Sequence, residues 1–354
     1  MADPTAAAAQ PGGSFSEPHS RLGDAAPHDL FDDLFDDPVL RSAVGRAAGL
    51  RALAPHGLFE QRRLGLRRWE WAPYGLYAPV CTDPQRAEAL AQFLNLAPGR
   101  VSQVRVQLNP LCPEAGGLAQ QAATQGWHVL PRETHLLDLR PGLQALRCGY
   151  HATKRNQIAK PVKLDSRIAL ARTEADLQPY FEVYAHSLQR WGRAGAWPYP
   201  RQLFLDLLHS PAARIWTHQV QGRLACAVVM LESRHQALYW QGVSRIDEDQ
   251  KPAHPMVRLM DAVIQDLCAR GVPVLNLGAS EGLPQVRRFK EEFGARPAAY
   301  STLLWESTAW GWLQRARGVW SAVGSTAGSP LRSPERHADR PADRPEDRPA
   351  DRPG

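Results

Sequence analysis

Hydrophobic residues recur at regular spacing through the first half of the chain, after an irregular start of about thirty residues. A spacing of three and four residues predicts helices, whereas alternation of apolar and polar residues predicts half-buried strands. By these rules the helices are PQRAEALAQFLNL (84–96) and GLAQQAATQG (117–126), and the strands cover 101–108 and 127–139. The run RRLGLRRWEWAPYGLYAP (62–79) predicts two paired strands that turn around Pro73 and Gly75.

The same alternation begins again after Leu139. Helical spacing covers residues 143–160, 176–192, 201–210 and 256–271, strand patterns cover 166–172, 213–220 and 273–280, and 224–233 pairs with 235–243 as an antiparallel hairpin. The expected fold class is therefore mixed α+β, with two units of similar size over residues 41–138 and 139–306.

Neither terminus shows such periodicity. Residues 1–30 are rich in Ala, Pro, Gly, Ser and Asp, the acidic N-terminal segment extends to residue 40, and residues 325–354 repeat DRPAD and DRPED units. Because neither segment can bury enough apolar surface to offset the entropy lost on ordering, both are predicted to be disordered. The stretch LFDDLFDDPVL (30–40) leaves two interpretations open: a short motif that folds on a partner, or a segment that docks on the folded part.

Charge is distributed unevenly along the chain. The formal net charge of +6 comprises −7 in residues 1–40, zero from residue 331 onward, and +13 between them. A basic folded part favours an anionic ligand such as a phosphate, a nucleotide, RNA or an acidic membrane surface. An arginine-rich composition would account for part of this excess without any such ligand.

The cysteines and apolar runs bear on location. The chain has five cysteines, which are scattered and form no CxxC pair: Cys81, Cys112, Cys148, Cys226 and Cys268. This usage is typical of a reduced, cytoplasmic protein. We find no secretory leader pattern and no run of about 18 apolar residues, so a soluble chain is expected. The twelve histidines lack HExxH spacing, and no metal site is predicted.

Several stretches of the second unit together resemble a known superfamily. They are THLLDL, the basic helix HATKRNQIAK, the strand ALYWQGVS, the helix HPMVRLMDAVIQDLCARG, the strand VLNLGAS and a lysine-bearing turn, FKEEFGARP. In this order they resemble the GNAT-superfamily N-acyltransferases, and within them the FemAB-like branch, which includes peptidoglycan bridge-forming aminoacyltransferases. The resemblance implies tandem GNAT-like units, of which the first is degenerate.

The same resemblance implies an activity. It is the transfer of an acyl or aminoacyl group from a CoA- or tRNA-linked donor to an amine, which would belong to a small molecule, a cell-envelope precursor or a sugar. The segment DEDQKPAHPMV (247–257) departs from the pattern, because it lacks the glycines that let backbone amides approach a pyrophosphate. Two rivals remain open: a catalytically silent GNAT-fold protein that binds RNA or another polyanion, and an interaction protein that works through LFDDLFDD.

The resemblance also suggests site residues. Lys290 would contact the acyl carbonyl or the phosphate-bearing end of the donor, between the strands ALYWQGVS and VLNLGAS. The other catalytic candidates are Tyr239 and His186, the substrate-binding candidates are Lys154, Arg155, Arg190, Trp240, Ser280 and Phe289, and the donor-binding candidates are His254, Met256 and Val257. Each also has a structural interpretation, in which Lys290 is a solvated lysine beside two glutamates and the others are core or helix-surface residues.

A tryptophan-rich segment follows the second unit. Residues 307–324 are predicted to be a helix that either docks on the domain or lies on an anionic membrane surface. The partners expected are thus an amine acceptor, tRNA as a donor carrier and a peripheral membrane contact, without DNA.

Overall fold

The structure, a computed structural model, describes residues 31–54, 57–63, 66–80, 84–161, 163–190, 199–280 and 283–311. Within these ranges the strands are Arg51–Ala54 (β1), Leu58–Arg63 (β2), Leu66–Trp71 (β3), Gln103–Gln107 (β4), His128–Asp138 (β5), Ser166–Leu170 (β6), Ala213–Val220 (β7), Arg223–Glu232 (β8), Ala237–Ser244 (β9), Val274–Asn276 (β10) and Arg296–Glu306 (β11). The α-helices are Pro38–Ala48 (α1), Pro84–Leu96 (α2), Ala115–Thr124 (α3), Leu143–Gly149 (α4), Ala152–Ala159 (α5), Glu174–Arg190 (α6), Arg201–Leu207 (α7), Pro255–Ala269 (α8) and Pro284–Glu291 (α9).

The strands form one mixed sheet in the order β1-β2-β3-β4-β11-β5-β10-β9-β8-β7-β6. Only β3 with β4 and β9 with β10 are parallel neighbours among the described strands. Each of these pairs is joined by a crossover helix, α2 in the first half and α8 in the second, as parallel pairing requires. At the centre, β5 pairs with β10, while β11 lies between β4 and β5. Two similar half-sheets therefore exchange strands where they meet, which confirms the predicted mixed fold.

Helices cover both faces of the second half-sheet. Val228 and Met230 on β8 belong to a buried cluster with apolar residues of α8, whereas Val229 and Leu231 belong to a cluster with residues of α6 and α7. Because successive side chains of a strand point to opposite faces, one continuous apolar run serves both clusters. The second half-sheet is thus packed between helices on both faces.

The N-terminal segment is ordered further than the sequence predicts. Leu34 and Phe35 lie in a short 3-10 helix and are buried. Asp37 accepts a hydrogen bond from Ser210, which belongs to the second half of the chain. The prediction of disorder is therefore wrong for residues 31–40, because the paired apolar residues of this segment fill a gap in the core. Docking, rather than a free motif, describes these residues.

Two predicted elements differ in detail. The single basic helix predicted over 143–160 is two helices, α4 and α5, because Tyr150 adopts an extended conformation between them and buries its ring. The strand pair predicted to turn near Pro73 is instead β2 with β3, which ends at Trp71.

The segment predicted as a lysine-bearing turn also differs, because Phe289 and Lys290 lie in the last turn of α9. Residues 1–30 and 312–354, including most of the predicted tryptophan-rich helix and the C-terminal repeats, lie outside the described residues. None of the helices in the described ranges combines the length and apolar character needed to cross a membrane.

Candidate active site

The parallel strands β9 and β10 pair over only two residue couples, Leu275 with Ala237 and Asn276 with Leu238. Beyond these couples β9 continues to Ser244, whereas β10 ends. Once two strands separate, their facing backbone groups no longer satisfy each other and can bind a ligand. The pairing of these two strands thus ends where the opening is predicted, and the backbone of β9 continues beyond it without β10 as a partner.

A β-bulge lies in β9 at this opening. The pairing with β8 shifts between Gln241 and Tyr239, so Trp240 is the extra residue. The hydroxyl of Tyr239 lies over the α-carbon of Gly242, where an added Cβ would be 1.6 Å from it. Burial raises the pKa of Tyr239 above its ordinary value, so this candidate stays protonated and is better suited to donate a hydrogen bond than to accept a proton.

Lys290 points inward toward the end of β10. Its side chain is buried, and Nζ donates hydrogen bonds to the carbonyl oxygens of Gly278 at 2.7 Å and Ala279 at 2.8 Å. Gly278 has φ +73° and packs against the backbone of Tyr239, so these carbonyls sit beside the opening. The structure therefore places the ammonium charge next to the separated strands and not in solvent.

Lys154 is also buried, although it lies on a short, otherwise polar helix. Its Nζ is 3.1 Å from Glu292 Oε2 and 4.5 Å from the ring centroid of Phe289. Burial opposes ionisation of Glu292, but hydrogen bonds from Lys154 and Arg288 outweigh it and lower the pKa of that carboxyl. The contacts fasten α5 to the end of α9, and the backbone amide of His151 adds a hydrogen bond to Glu292 O at 2.8 Å.

A polar cluster next to Lys290 contains a histidine that sequence reasoning missed. His135 on β5 is fully buried, and its Nδ1 is 3.5 Å from the hydroxyl of Ser280. Burial and the charge of Lys290 lower the pKa of His135. In the sequence Thr134 and His135 end the polar run RETH, directly before Leu136 and Leu137, so no local signal distinguishes this histidine from an exposed one.

The start of α8 is the region predicted to bind the donor. His254 precedes the helix with φ 47°, a left-handed conformation that glycine normally adopts, and so performs the turn without glycine. Met256 and Val257 occupy the first helical turn, where backbone amides lack intrahelical acceptors. His218 fixes this helix start, because its ring contacts Pro255 O at 2.8 Å.

Charge around this helix start is positive. Desolvation lowers the pKa of His254, and three neighbouring cations lower it further: Lys160, Arg258 and Lys154. A basic helix N-terminus of this kind suits a phosphate group.

The remaining candidates lie elsewhere. Arg190 donates a hydrogen bond to Ser244 Oγ at 3.3 Å, at the far end of β9, and His186 lies one turn earlier on α6. At about 3.3 Å per residue, Ser244 is roughly 20 Å along the strand from Leu238. Arg155 donates to backbone carbonyls that end α4. The structure thus gathers Lys290, Lys154, Phe289 and Ser280 around α9, and separates them from His186 and Arg190.

Comparisons with known proteins agree with the fold. Residues 151–291 match the family model described as an acetyltransferase (GNAT) domain, which confirms the resemblance predicted from the sequence. No curated protein matches the sequence.

Among the described residues, no group of three or more His, Cys, Asp or Glu side chains is arranged to hold a metal ion.

Solved structures share the fold at low sequence identity. The chain is similar to FemX, with a TM-score of 0.60 and 9% identity over 80% of this chain and 97% of that one. It is similar to the C-terminal domain of a putative lysylphosphatidylglycerol synthetase from Agrobacterium fabrum, with a TM-score of 0.53 and 13% identity over 79% and 91% of the two chains. A conserved protein of unknown function from Bacteroides thetaiotaomicron has a TM-score of 0.52 and 10% identity over 80% and 97%.

Proposed function

We propose that this chain, of which residues 151–291 match an acetyltransferase (GNAT) domain, transfers an acyl or aminoacyl group from a phosphate-bearing carrier to an amine. The observation that carries the proposal is the opening between β9 and β10, with the buried ammonium of Lys290 at its edge. The division into a degenerate unit, residues 41–138, and a catalytic unit, residues 139–306, is part of the same proposal.

In N-acyl transfer the protein mainly positions the amine and the acyl carbonyl and stabilises the developing charge, and it need not form a covalent bond itself. A neutral amine attacks the carbonyl, a tetrahedral oxyanion forms, and the bond to the leaving sulfur or oxygen breaks. Backbone N–H groups of β9 would hold the carbonyl, while the positive charge of Lys290 stabilises the developing oxyanion. Lys290 also fixes the loop after β10, because it binds the carbonyls of Gly278 and Ala279.

The start of α8 is the proposed site for the carrier's phosphate. Acyl-CoA and aminoacyl-tRNA both present phosphates, and the basic surroundings of His254 suit either carrier. Aminoacyl donors are included because one structural relative is described as a putative lysylphosphatidylglycerol synthetase. We place the reaction in the cytoplasm, with an envelope precursor or a sugar as the source of the amine.

The test separates donor binding from chemistry. Purified protein is melted with acetyl-CoA, palmitoyl-CoA or lysyl-tRNA, and then assayed by mass spectrometry for amide formation with glucosamine and lysine. A donor that binds the native state raises the melting temperature by mass action. Lys290→Ala should keep the shift and lose turnover. Lys163→Ala, which removes an exposed lysine from the segment between α5 and β6, is the matched control and should keep both.

The outcomes exclude different alternatives. Amide formation by the native protein excludes the silent binding protein. A melting shift without turnover for any pair of substrates, together with binding that weakens steeply with salt, supports binding of RNA or another polyanion instead. No shift and no turnover contradict the proposal.

A further inference from the structure

Ser280, His135 and Glu291 lie in a row between the opening and the protein surface. Ser280 Oγ is 3.5 Å from His135 Nδ1, and His135 Nε2 is 3.7 Å from Glu291 Oε1. Ser280 and His135 are buried, whereas the side chain of Glu291 is 42% exposed. One imidazole therefore connects the interior end of the row to solvent.

The inner end of the row lies at the candidate active site. Ser280 follows Gly278 and Ala279, whose carbonyls bind Lys290. The row is built on three elements, since Ser280 follows β10, His135 belongs to β5 and Glu291 ends α9. The strand pairing holds two of these elements together, because the amide of Leu277 donates to His135 O at 2.8 Å.

His135 differs from the other fully buried histidine of the described residues, His218. Both ring nitrogens of His218 are engaged, with Ser166 Oγ at 2.7 Å and Pro255 O at 2.8 Å. By contrast, His135 Nε2 has no partner within hydrogen-bonding distance among the described residues. An unsatisfied buried polar atom costs about 1–3 kcal/mol. The group nearest to His135 Nε2 is the carboxylate of Glu291, at 3.7 Å.

We propose that Ser280, His135 and Glu291 conduct to solvent the proton that the acceptor amine loses during acyl transfer. The inference rests on the function proposed above. Ser280 is the catalytic member, because its hydroxyl would touch the nitrogen. His135 acts through Ser280, and Glu291 receives the proton at the surface.

The step balances as follows for the amine and the donor. The nitrogen forms the new C–N bond, and the C–S or C–O bond to the carrier breaks with its electron pair on the leaving atom. The nitrogen passes one proton to Ser280 Oγ as the hydroxyl proton moves to His135 Nδ1. His135 Nε2 then releases a proton to Glu291, which passes it to the hydroxide left when the leaving atom takes a proton from water. The imidazole proton returns from Nδ1 to Nε2 before the next turnover. Both contacts of His135 are longer than hydrogen bonds, and such contacts commonly tighten when substrate fills a site.

A proton acceptor must begin neutral, and the surroundings of His135 favour that form. Desolvation and the charge of Lys290 lower its pKa, Arg287 lowers it further, and Glu133 and Glu291 raise it in part. The neutral tautomer that the path requires has the proton on Nε2, facing Glu291, with Nδ1 free to accept from Ser280.

The tautomer can be tested without any substrate. Long-range ¹H–¹⁵N correlation spectra of the full chain, with His135 assigned through His135→Gln, should show a neutral imidazole protonated at Nε2 at pH 7. Glu291→Gln should move the pKa of His135 downward, because it removes a negative charge. Protonation at Nδ1, or a pKa of His135 that is unchanged in Glu291→Gln, would overturn the path even if the enzyme is active.

Kinetics test the path in the reaction itself, with the donor and amine that support turnover in the assay above. His135→Gln and Ser280→Ala should each lower kcat about 10²-fold, a usual size for a lost proton transfer. Ser280→Thr keeps a hydroxyl and should recover most of it. His128→Gln, at the exposed start of the same strand, is the matched control and should match the native protein.

The pH profile distinguishes a proton path from a packing role. In the native protein kcat should rise with pH as His135 loses its proton, and Glu291→Gln should shift that rise to lower pH. His135→Gln should lose the rise. A His135→Gln protein that binds donor and keeps the native pH profile contradicts the proposal. Failure of the native protein with all donors contradicts the proposed function instead, and the tautomer result then decides the path.

Discussion

Lys290 and Gly278 are joined by a 2.7 Å hydrogen bond from a buried ammonium to a backbone carbonyl. The bond crosses from α9 to the end of β10, so the residue that the sequence marked for catalysis also holds the loop beside the opening. The side chain of Lys290 thus provides a positive charge at the candidate site and also holds the loop after β10 in position.

Lys290→Met is expected to lower the free energy of unfolding by about 2–4 kcal/mol, because two partly buried carbonyls lose a charged donor from a buried side chain. Urea denaturation followed by circular dichroism measures this. Lys251→Met removes an exposed lysine with a surface ion pair and should change it by less than about 0.5 kcal/mol. Equal effects of the two substitutions would show that Lys290 is not buried as described.

Gly242→Ala should destabilise the protein by about 2 kcal/mol, because the new methyl group would lie 1.6 Å from the hydroxyl of Tyr239. The cost should be much smaller in a Tyr239→Ala background, which removes the clash. Thermal unfolding of the four proteins in this double-mutant cycle measures the coupling. Gly149→Ala has open space around it and serves as the control. Equal costs in both backgrounds would contradict the contact.

Lys154→Met should lower the free energy of unfolding by about 3 kcal/mol, because it leaves Glu292 partly buried without its ammonium partner. Adding Glu292→Gln should recover part of that loss, since the second substitution removes a partly buried charge that keeps only Arg288 as its partner. Urea denaturation of both variants measures the recovery. Additive losses would mean that the two side chains do not interact.

Phe35→Ala should lower the free energy of unfolding by about 3–4 kcal/mol, because the ring is fully buried and packs edge-on against Phe59 at 5.5 Å. Leu130→Ala, at an exposed position, should cost less than about 1 kcal/mol. A small effect of Phe35→Ala would revive the interpretation of LFDDLFDD as a free binding motif.

Glu60 predicts a pH dependence of stability. Its carboxylate accepts hydrogen bonds from Arg62 at 2.6 Å, Arg67 at 2.8 Å and Trp69 at 3.1 Å. Burial opposes ionisation, but these bonds outweigh it and lower the pKa of Glu60 from 4.5 to about 2. A lowered pKa stabilises the fold fully above pH 4.5, and that stability is lost as pH falls toward 2.

The corresponding measurement compares Glu60→Gln with the native protein in urea at several pH values. The variant should be less stable by about 2 kcal/mol at pH 7, and the difference should shrink between pH 4.5 and pH 2. Glu88→Gln, on the exposed face of α2, should follow the native protein throughout. A difference independent of pH would assign the effect to packing instead of charge.

Much of the fold could be predicted because the spacing of apolar residues along the chain specifies each helix and strand locally. Helix α2 begins at Pro84 and ends at Leu96, and β7 covers residues 213–220, both as the spacing predicts. The errors arose where tertiary contacts override local signals. Tyr150 ends a helix because its ring is buried against Phe293 at 5.1 Å, a partner far away in the chain.

The candidate site was predicted in part. Its opening followed from the order of strands and from the resemblance, and Lys290 was marked by its place after VLNLGAS. His135 was missed because its neighbours come from β10 and α9, and no local spacing brings it to Ser280 or Glu291. From the sequence, Lys154 could be either a substrate-binding residue or an exposed residue on a helix surface. It is buried because Phe289, on another helix, packs against its ammonium group.

The sequence by itself determined the alternation of strands and helices, its restart after Leu139 and the match of residues 151–291 to an acetyltransferase (GNAT) domain, since each depends on residues that are near one another in the chain. Only the tertiary structure decided which polar residues meet. Strand exchange at the centre of the sheet brings β5 beside β10, and thereby places His135 next to Ser280 and Lys290. Such contacts join residues more than a hundred positions apart, so their chemistry emerges only when the sheet is assembled.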